Sequence, residues 1–117
     1  MTPDFAFPLA TAMTAPNEPG RASALLFAHG TMTLRYYAPR GHDAQTPHDQ
    51  DEIYVVASGS GTFECDGVRK PFVAGDALFV AAGIDHRFLD FTEDFGTWVI
   101  FYGATGGEAS AEERSEP

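Results

Sequence analysis

Apolar and polar positions alternate in short runs along this chain, and turns bearing glycine or proline separate the runs. Ser23 to Ala28 is one run, closed by His29-Gly30, and Thr31 to Ala38 is the next. The second is rich in β-branched and aromatic residues, so the pair predicts a hairpin. Within it Met32, Leu34 and Tyr36 share one face, while Arg35 and Tyr37 share the other. Ile53 to Ala57 is headed by Glu52 and ends in the turn Gly59-Ser60-Gly61. Thr62 to Cys65 and Val68 to Val73 flank Asp66-Gly67, a dipeptide suited to two-residue hairpin turns. Further runs at Ala77 to Val80, His86 to Phe91 and Thr97 to Tyr102 are divided by turns of the same kind. Short strands at this spacing predict an all-β, antiparallel sandwich or barrel, with no internal repeat and no long helix.

The flanks differ from this body. Residues 1–20 carry Pro3, Pro8, Pro16 and Pro19 with Phe5, Phe7 and Leu9 between them. Proline breaks helices internally, so an N-terminal arm with at most a single helical turn is expected, packed over the body or over a partner subunit. Residues 106–117 offer little to bury and read as a disordered, solvated acidic tail. That leaves 21–105 as one folded domain. With 44% hydrophobic residues and 10 Phe among 117, it has enough apolar side chains for one core.

Charge narrows the partners. A net charge of −10 argues against nucleic acid and against an anionic membrane, both of which need a basic face. No segment is long and apolar enough for a membrane span, and 1–20 lacks the pattern of a secretory signal, so a cytoplasmic location is expected. Cys65 is the sole cysteine and reads as a small mid-strand hydrophobe rather than a nucleophile.

The chemistry gathers in two places. Glu52 heads an apolar strand, where an unpaired charge would be costly. His48 lies four residues before it, and His86 comes much later, in Ala82-Gly83-Ile84-Asp85-His86-Arg87-Phe88. Two imidazoles and a carboxylate on converging strands suit an open-shell divalent metal. Each residue also has a plainer reading. His48 would be a loop histidine, Glu52 would pair with Arg35 or Arg87, and His86 would cap a turn. Asp85 reads as a turn residue, and Asp90 shares strand parity with His86 and Phe88, which makes it a candidate supporting partner.

These residues carry a resemblance to the cupin superfamily of small jelly-roll barrels. That family's first motif ends with a Glu followed by a Gly seven residues on, as Glu52 and Gly59 do here, and His48 has a permitted place for its second His. The second motif, Gly-x5-Pro-x-Gly-x2-His-x3-Asn, is matched at Gly75, Gly83 and His86, with Ala81 for Pro and Asp90 for Asn. The resemblance covers Thr31 to Tyr102 and implies an antiparallel double-stranded β-helix, a jelly-roll cupin barrel. The first His of the His-x-His pair is absent: Thr46 takes its place, and Gln45 precedes it.

The implied metal ligands are His48, Glu52 and His86, with Gln45 as the candidate fourth through its amide. The implied cofactor is one divalent transition metal: iron, manganese, nickel or zinc (Fe, Mn, Ni or Zn). The implied partner is a small organic molecule, with Arg35, Tyr37, Tyr54, Phe63 and Trp98 as candidate substrate-binding wall residues and Tyr102 beside them. The resemblance also implies a homodimer. Two functions follow: a small-molecule metalloenzyme, dioxygenase-like or a Lewis-acid isomerase or lyase, or else a non-catalytic ligand-binding module, with or without metal.

Overall fold

The computed structural model describes residues 5–109. One short helix, α1 (Leu9–Thr14), precedes eight strands: β1 (Ser23–His29), β2 (Met32–Tyr37), β3 (Asp51–Ser58), β4 (Ser60–Cys65), β5 (Val68–Val73), β6 (Ala77–Val80), β7 (His86–Leu89) and β8 (Gly96–Tyr102). Two sheets form, a five-stranded one in the order β1-β2-β8-β3-β6 and a three-stranded one in the order β5-β4-β7. All pairings are antiparallel. The expected all-β, antiparallel barrel is therefore the fold, and its strands fall where the alternation put them to within a few residues.

Local chemistry explains the junctions. Cys65 pairs with Val68, leaving Asp66 and Gly67 as a two-residue loop with φ of 53° and 80°. Both central residues at positive φ match the twist of a hairpin, which is why Asp-Gly serves there. Gly59, between β3 and β4, has φ of +83°, and a Cβ there would lie 2.6 Å from the Phe95 Cα. The turn fits against the 92–95 segment only because the side chain is missing.

The core lies between the sheets and is mostly aromatic: Tyr54, Phe63, Phe72, Phe88, Phe95 and Phe101, with Val56, Val80 and Val99. Phe88 is its hub, its ring 4.7 to 5.4 Å from the rings of Phe95, Phe63, Tyr54 and Phe72. Tilted and edge-on rings at such separations are the favoured aromatic arrangement.

The N-terminal arm contains the single short helix that proline spacing allowed. α1 buries Ala12 and packs against β2, while the Phe7 ring lies 5.2 Å from that of Phe27 on β1. At the other end, part of the stretch expected to be a free tail is tied to the barrel. The Gly106 amide donates to the Asp49 carbonyl at 2.7 Å, and the Glu108 amide donates to Asp51 Oδ2 at 2.8 Å. Backbone amides need no apolar side chains to dock, which composition does not register. The rest of that tail, from 110 on, lies outside the described residues. No helix among the described residues is long and apolar enough to cross a membrane.

Candidate metal centre

Glu52 stands on the interior face of β3 with Tyr54 and Val56, between β8 and β6. It is fully buried, and its Oε1 lies 2.7 Å from His86 Nε2. His86 opens β7, opposite Cys65 of β4, in the other sheet. The pair thus links the two sheets. His86 Nδ1 lies 2.9 Å from the Ile84 carbonyl, which can only accept, so Nδ1 donates and Nε2 is turned toward Glu52. Neither Arg35 nor Arg87 takes Glu52: Arg35 is 2.8 Å from Glu18, and Arg87 is 3.8 Å from Asp85.

His48 arrives from the 38–50 loop. The Gly83 amide donates to its carbonyl at 2.7 Å, which fastens the loop to the turn that carries His86. Its ring packs edge-on against Phe101, with centroids 4.9 Å apart, and lies 5.4 Å from the His86 ring. Its Nε2 is 4.0 Å from Glu52 Oε2. One ligand-type atom from each of His48, Glu52 and His86 falls within 4.8 Å of the others.

Glu52 Oε2 is buried and has no hydrogen-bond partner among the described residues. A buried carboxylate oxygen left that way is costly, and a cation beside it would remove the cost. Two imidazoles and a carboxylate are an established donor set for divalent first-row metals. His86 already has its second nitrogen on a backbone carbonyl, the support that metal-bound histidines usually have. The residues present therefore fit a metal ion.

Gln45 reaches the cluster and Thr46 does not turn into it. Gln45 Oε1 lies 3.2 Å from His48 Nε2 and accepts from the Tyr54 hydroxyl at 2.9 Å, whereas Thr46 is exposed on the rim. What aims Gln45 is Asp43, a residue the sequence did not single out. Asp43 is buried and accepts from the Gln45 side-chain amide at 2.7 Å, the Gln45 backbone at 3.1 Å, the Phe88 backbone at 2.8 Å and the Tyr37 hydroxyl. An acidic residue in a polar loop gives no sequence signal, because its partners become neighbours only in the fold.

The titratable groups are held unequally. Burial lowers the His48 pKa, against an opposing pull from Glu52, so His48 is kept neutral. Burial also acts downward on His86, but the Glu52 hydrogen bond, the Ile84 carbonyl and the charges of Glu52 and Asp43 outweigh it, and its pKa is raised. Burial, then the charge of Glu52, drives the Tyr54 phenol well above its ordinary value, so it remains a neutral donor. Tyr37 is raised by burial and by Asp43.

The candidate wall residues divide. Tyr37 lines an opening of about 170 Å³ with Gln45, His48, Val99 and Phe101. Arg35 lines an adjoining one of about 250 Å³ with His48 and Phe101. Tyr54 is wholly buried, and its hydroxyl meets Gln45, Glu52 and His86 rather than a cavity. Phe63 sits beneath His86, ring centroids 6.3 Å apart. Trp98 is on the opposite face of β8 from Val99 and Phe101 and packs on Tyr36, so it turns away from the cluster. Tyr102 shares that outward parity. Asp90 is likewise exposed at φ of 50°, past the end of β7, and the supporting role suggested by strand parity does not hold.

Two antiparallel sheets closed around a His–Glu–His cluster define a small β-barrel protein with a ligand-capable centre. The chain belongs to the cupin family: the model of the cupin domain matches residues 33–97. An uncharacterized protein of Streptomyces coelicolor is 36% identical over 59 residues, 50% of this chain, and the match spans 56% of that relative. Among solved structures, a cupin 2 conserved barrel domain protein from Salinispora arenicola superposes with a TM-score of 0.65 at 20% identity, covering 88% of this chain and 92% of that one. A cupin protein from Bacteroides fragilis gives 0.58 at 23%, covering 84% and 90%. KdgF from Halomonas gives 0.60 at 18%, covering 72% and 79%. At these identities the solved structures speak to the fold alone.

Proposed function

We propose that this cupin holds one divalent transition metal on His48, Glu52 and His86, with Gln45 at the fourth position, and acts on a small organic molecule. The observation that carries this reading is Glu52 Oε2, buried and unpartnered between two imidazoles. When bound, iron, manganese, nickel or zinc would supply Lewis acidity at the site or, for a redox-active ion, dioxygenase-like reactivity.

The chain's own residues have distinct parts. Glu52 supplies the negative charge from the interior of β3. His86, fixed through the Ile84 carbonyl, and His48, fixed through the Gly83 amide, present their Nε2 atoms to it. Tyr54 donates its single hydroxyl proton within the cluster and keeps the Gln45 and Glu52 oxygens apart. The buried Phe101 and Phe63 rings pack against the His48 and His86 rings and hold them in place. The opening toward Tyr37 and Thr46 is the route for a small molecule.

A second reading is a ligand-binding module without metal. It is favoured by the 2.7 Å contact between His86 and Glu52, which satisfies both groups in part without any ion.

Metal titration of the wild type against His48→Ala, Glu52→Gln and His86→Ala separates the two. The first reading expects each variant to weaken binding by at least about 10-fold, with the β-sheet circular dichroism unchanged. Full retention of metal by both histidine variants would overturn it.

A further inference from the structure

The two small openings beside the cluster share Arg21, His48 and Phe101, so they form one mouth. At about 170 and 250 Å³, the two together fall near the low end of the roughly 300–1,000 Å³ typical of ligand pockets, which suits a small molecule. The mouth also gathers two cations, offset by Asp49 on its rim and by Glu18 against Arg35. Only 7 Lys and Arg stand against 17 Asp and Glu, yet two of the seven, Arg21 and Arg35, line it. Asp49 is the acidic residue on its rim.

Arg35 is the more informative of the two. It is buried at 5% exposure on the interior face of β2, with Tyr37. Its Nη1 lies 2.8 Å from Glu18 Oε1 and 3.4 Å from Ser23 Oγ. Its Nε has no acceptor among the described residues, and Glu18 Oε1 is not aligned as a hydrogen-bond partner. The guanidinium edge matches a carboxylate through parallel N–H bonds, and here an internal carboxylate neutralises the charge without filling that edge. Glu18 belongs to the segment between α1 and β1 and is still about one-third exposed, with a side-chain exposure of 35%.

From this we infer that the mouth recognises a small organic acid, whose carboxylate replaces Glu18 on the Arg35 guanidinium and makes the paired N–H bonds that Glu18 leaves unmade. This deepens the proposed function and rests on it for the identity of the site. Arg21, at the outer lip, adds attraction rather than geometry. A neutral molecule of the same shape would leave the charge of Arg35 to Glu18 and gain nothing from the exchange.

Calorimetric titration of the full chain with acetate, succinate and benzoate, with their amides and with inorganic phosphate, tests the inference. It should be run with and without added metal, with metal content measured on each sample. At least one acid should bind, its amide should bind about 10-fold more weakly or worse, and Arg35→Gln should abolish the difference. Because Arg35 is buried and its replacement can impair folding, Glu18→Gln provides the second arm. Removing the internal competitor should tighten the acid about 3-fold or more. Acids and amides binding alike, phosphate binding in preference, no acid binding at all, or Glu18→Gln leaving affinity unchanged would each overturn the inference. Acid binding that needs Arg35 in protein that takes up no metal would uphold it while removing the metal reading.

Discussion

Glu52 brings a full carboxylate into the barrel interior, and the two histidines differ in how they answer it. His86 bonds it directly and is raised in pKa; His48 stands 4.0 Å off and is lowered. In the metal-free fold, the His86–Glu52 pair contributes stability that is fully present below the unfolded histidine value of about 6.5 and fades as pH rises through the raised folded value. Metal uptake near pH 6.5 must therefore expel a proton from His86. Its heat should vary with the ionisation enthalpy of the buffer there, lose that dependence well above the raised value, and lose most of it in His86→Ala. A buffer-independent heat at pH 6.5 would contradict the assignment. Asp43 gives a second test. In Asp43→Asn an amide N–H₂ must face donors that the carboxylate accepted, which frees the Gln45 side chain. Metal affinity should fall about 10- to 100-fold, and adding Gln45→Ala should cost little more, because the two changes break one chain of contacts. Additive losses would show that Asp43 acts through folding alone. The ligand candidates were legible because motif spacing records which residues face each other. Asp43 was not, since its acceptor role depends on Phe88, 45 residues away.

At the level of elements, the site depends on an unpaired loop being pinned to a turn. The 38–50 loop carries His48, the 81–85 turn leads into His86, and the Gly83-to-His48 hydrogen bond joins them. The β3–β4 turn is tighter still. In Gly59→Ala a Cβ would meet Phe95 Cα and Thr92 Oγ1 at 2.6 Å, in a left-handed conformation that itself disfavours a side chain. Strain and overpacking together should cost about 1–3 kcal/mol, seen as a lower urea midpoint with an unchanged slope. A loss below about 0.5 kcal/mol would mean that the turn relaxes freely. Strand positions were readable because alternation and turn residues act locally. Parity failed at Asp90 because β7 ends at Leu89 and the next residue turns to φ of 50°, which breaks the two-residue period. The docked 106–108 segment escaped notice for a related reason: its bonds run through backbone amides to Asp49 and Asp51.

Across the whole molecule, the centre exists only because the sheets face each other. Glu52 comes from the five-stranded sheet, His86 from the three-stranded one, and the aromatic core fills the space behind them. That the chain forms an antiparallel sandwich or barrel followed from strand spacing, and the barrel itself from the cupin resemblance. The sheet order followed from neither, because pairing partners lie far apart in sequence, nor did the face of β8 that turns inward, which leaves Trp98 outside. At this scale two of the chain's seven Lys and Arg, Arg21 and Arg35, line one mouth in a chain of net charge −10. Elemental analysis of the purified full chain, after incubation with iron(II), manganese, nickel or zinc and removal of excess ion, tests the central claim most directly. The account predicts about one divalent ion per chain for at least one of these metals, reduced to background in the His48→Ala, His86→Ala double variant. Wild-type protein that folds normally yet retains none of the four would contradict it.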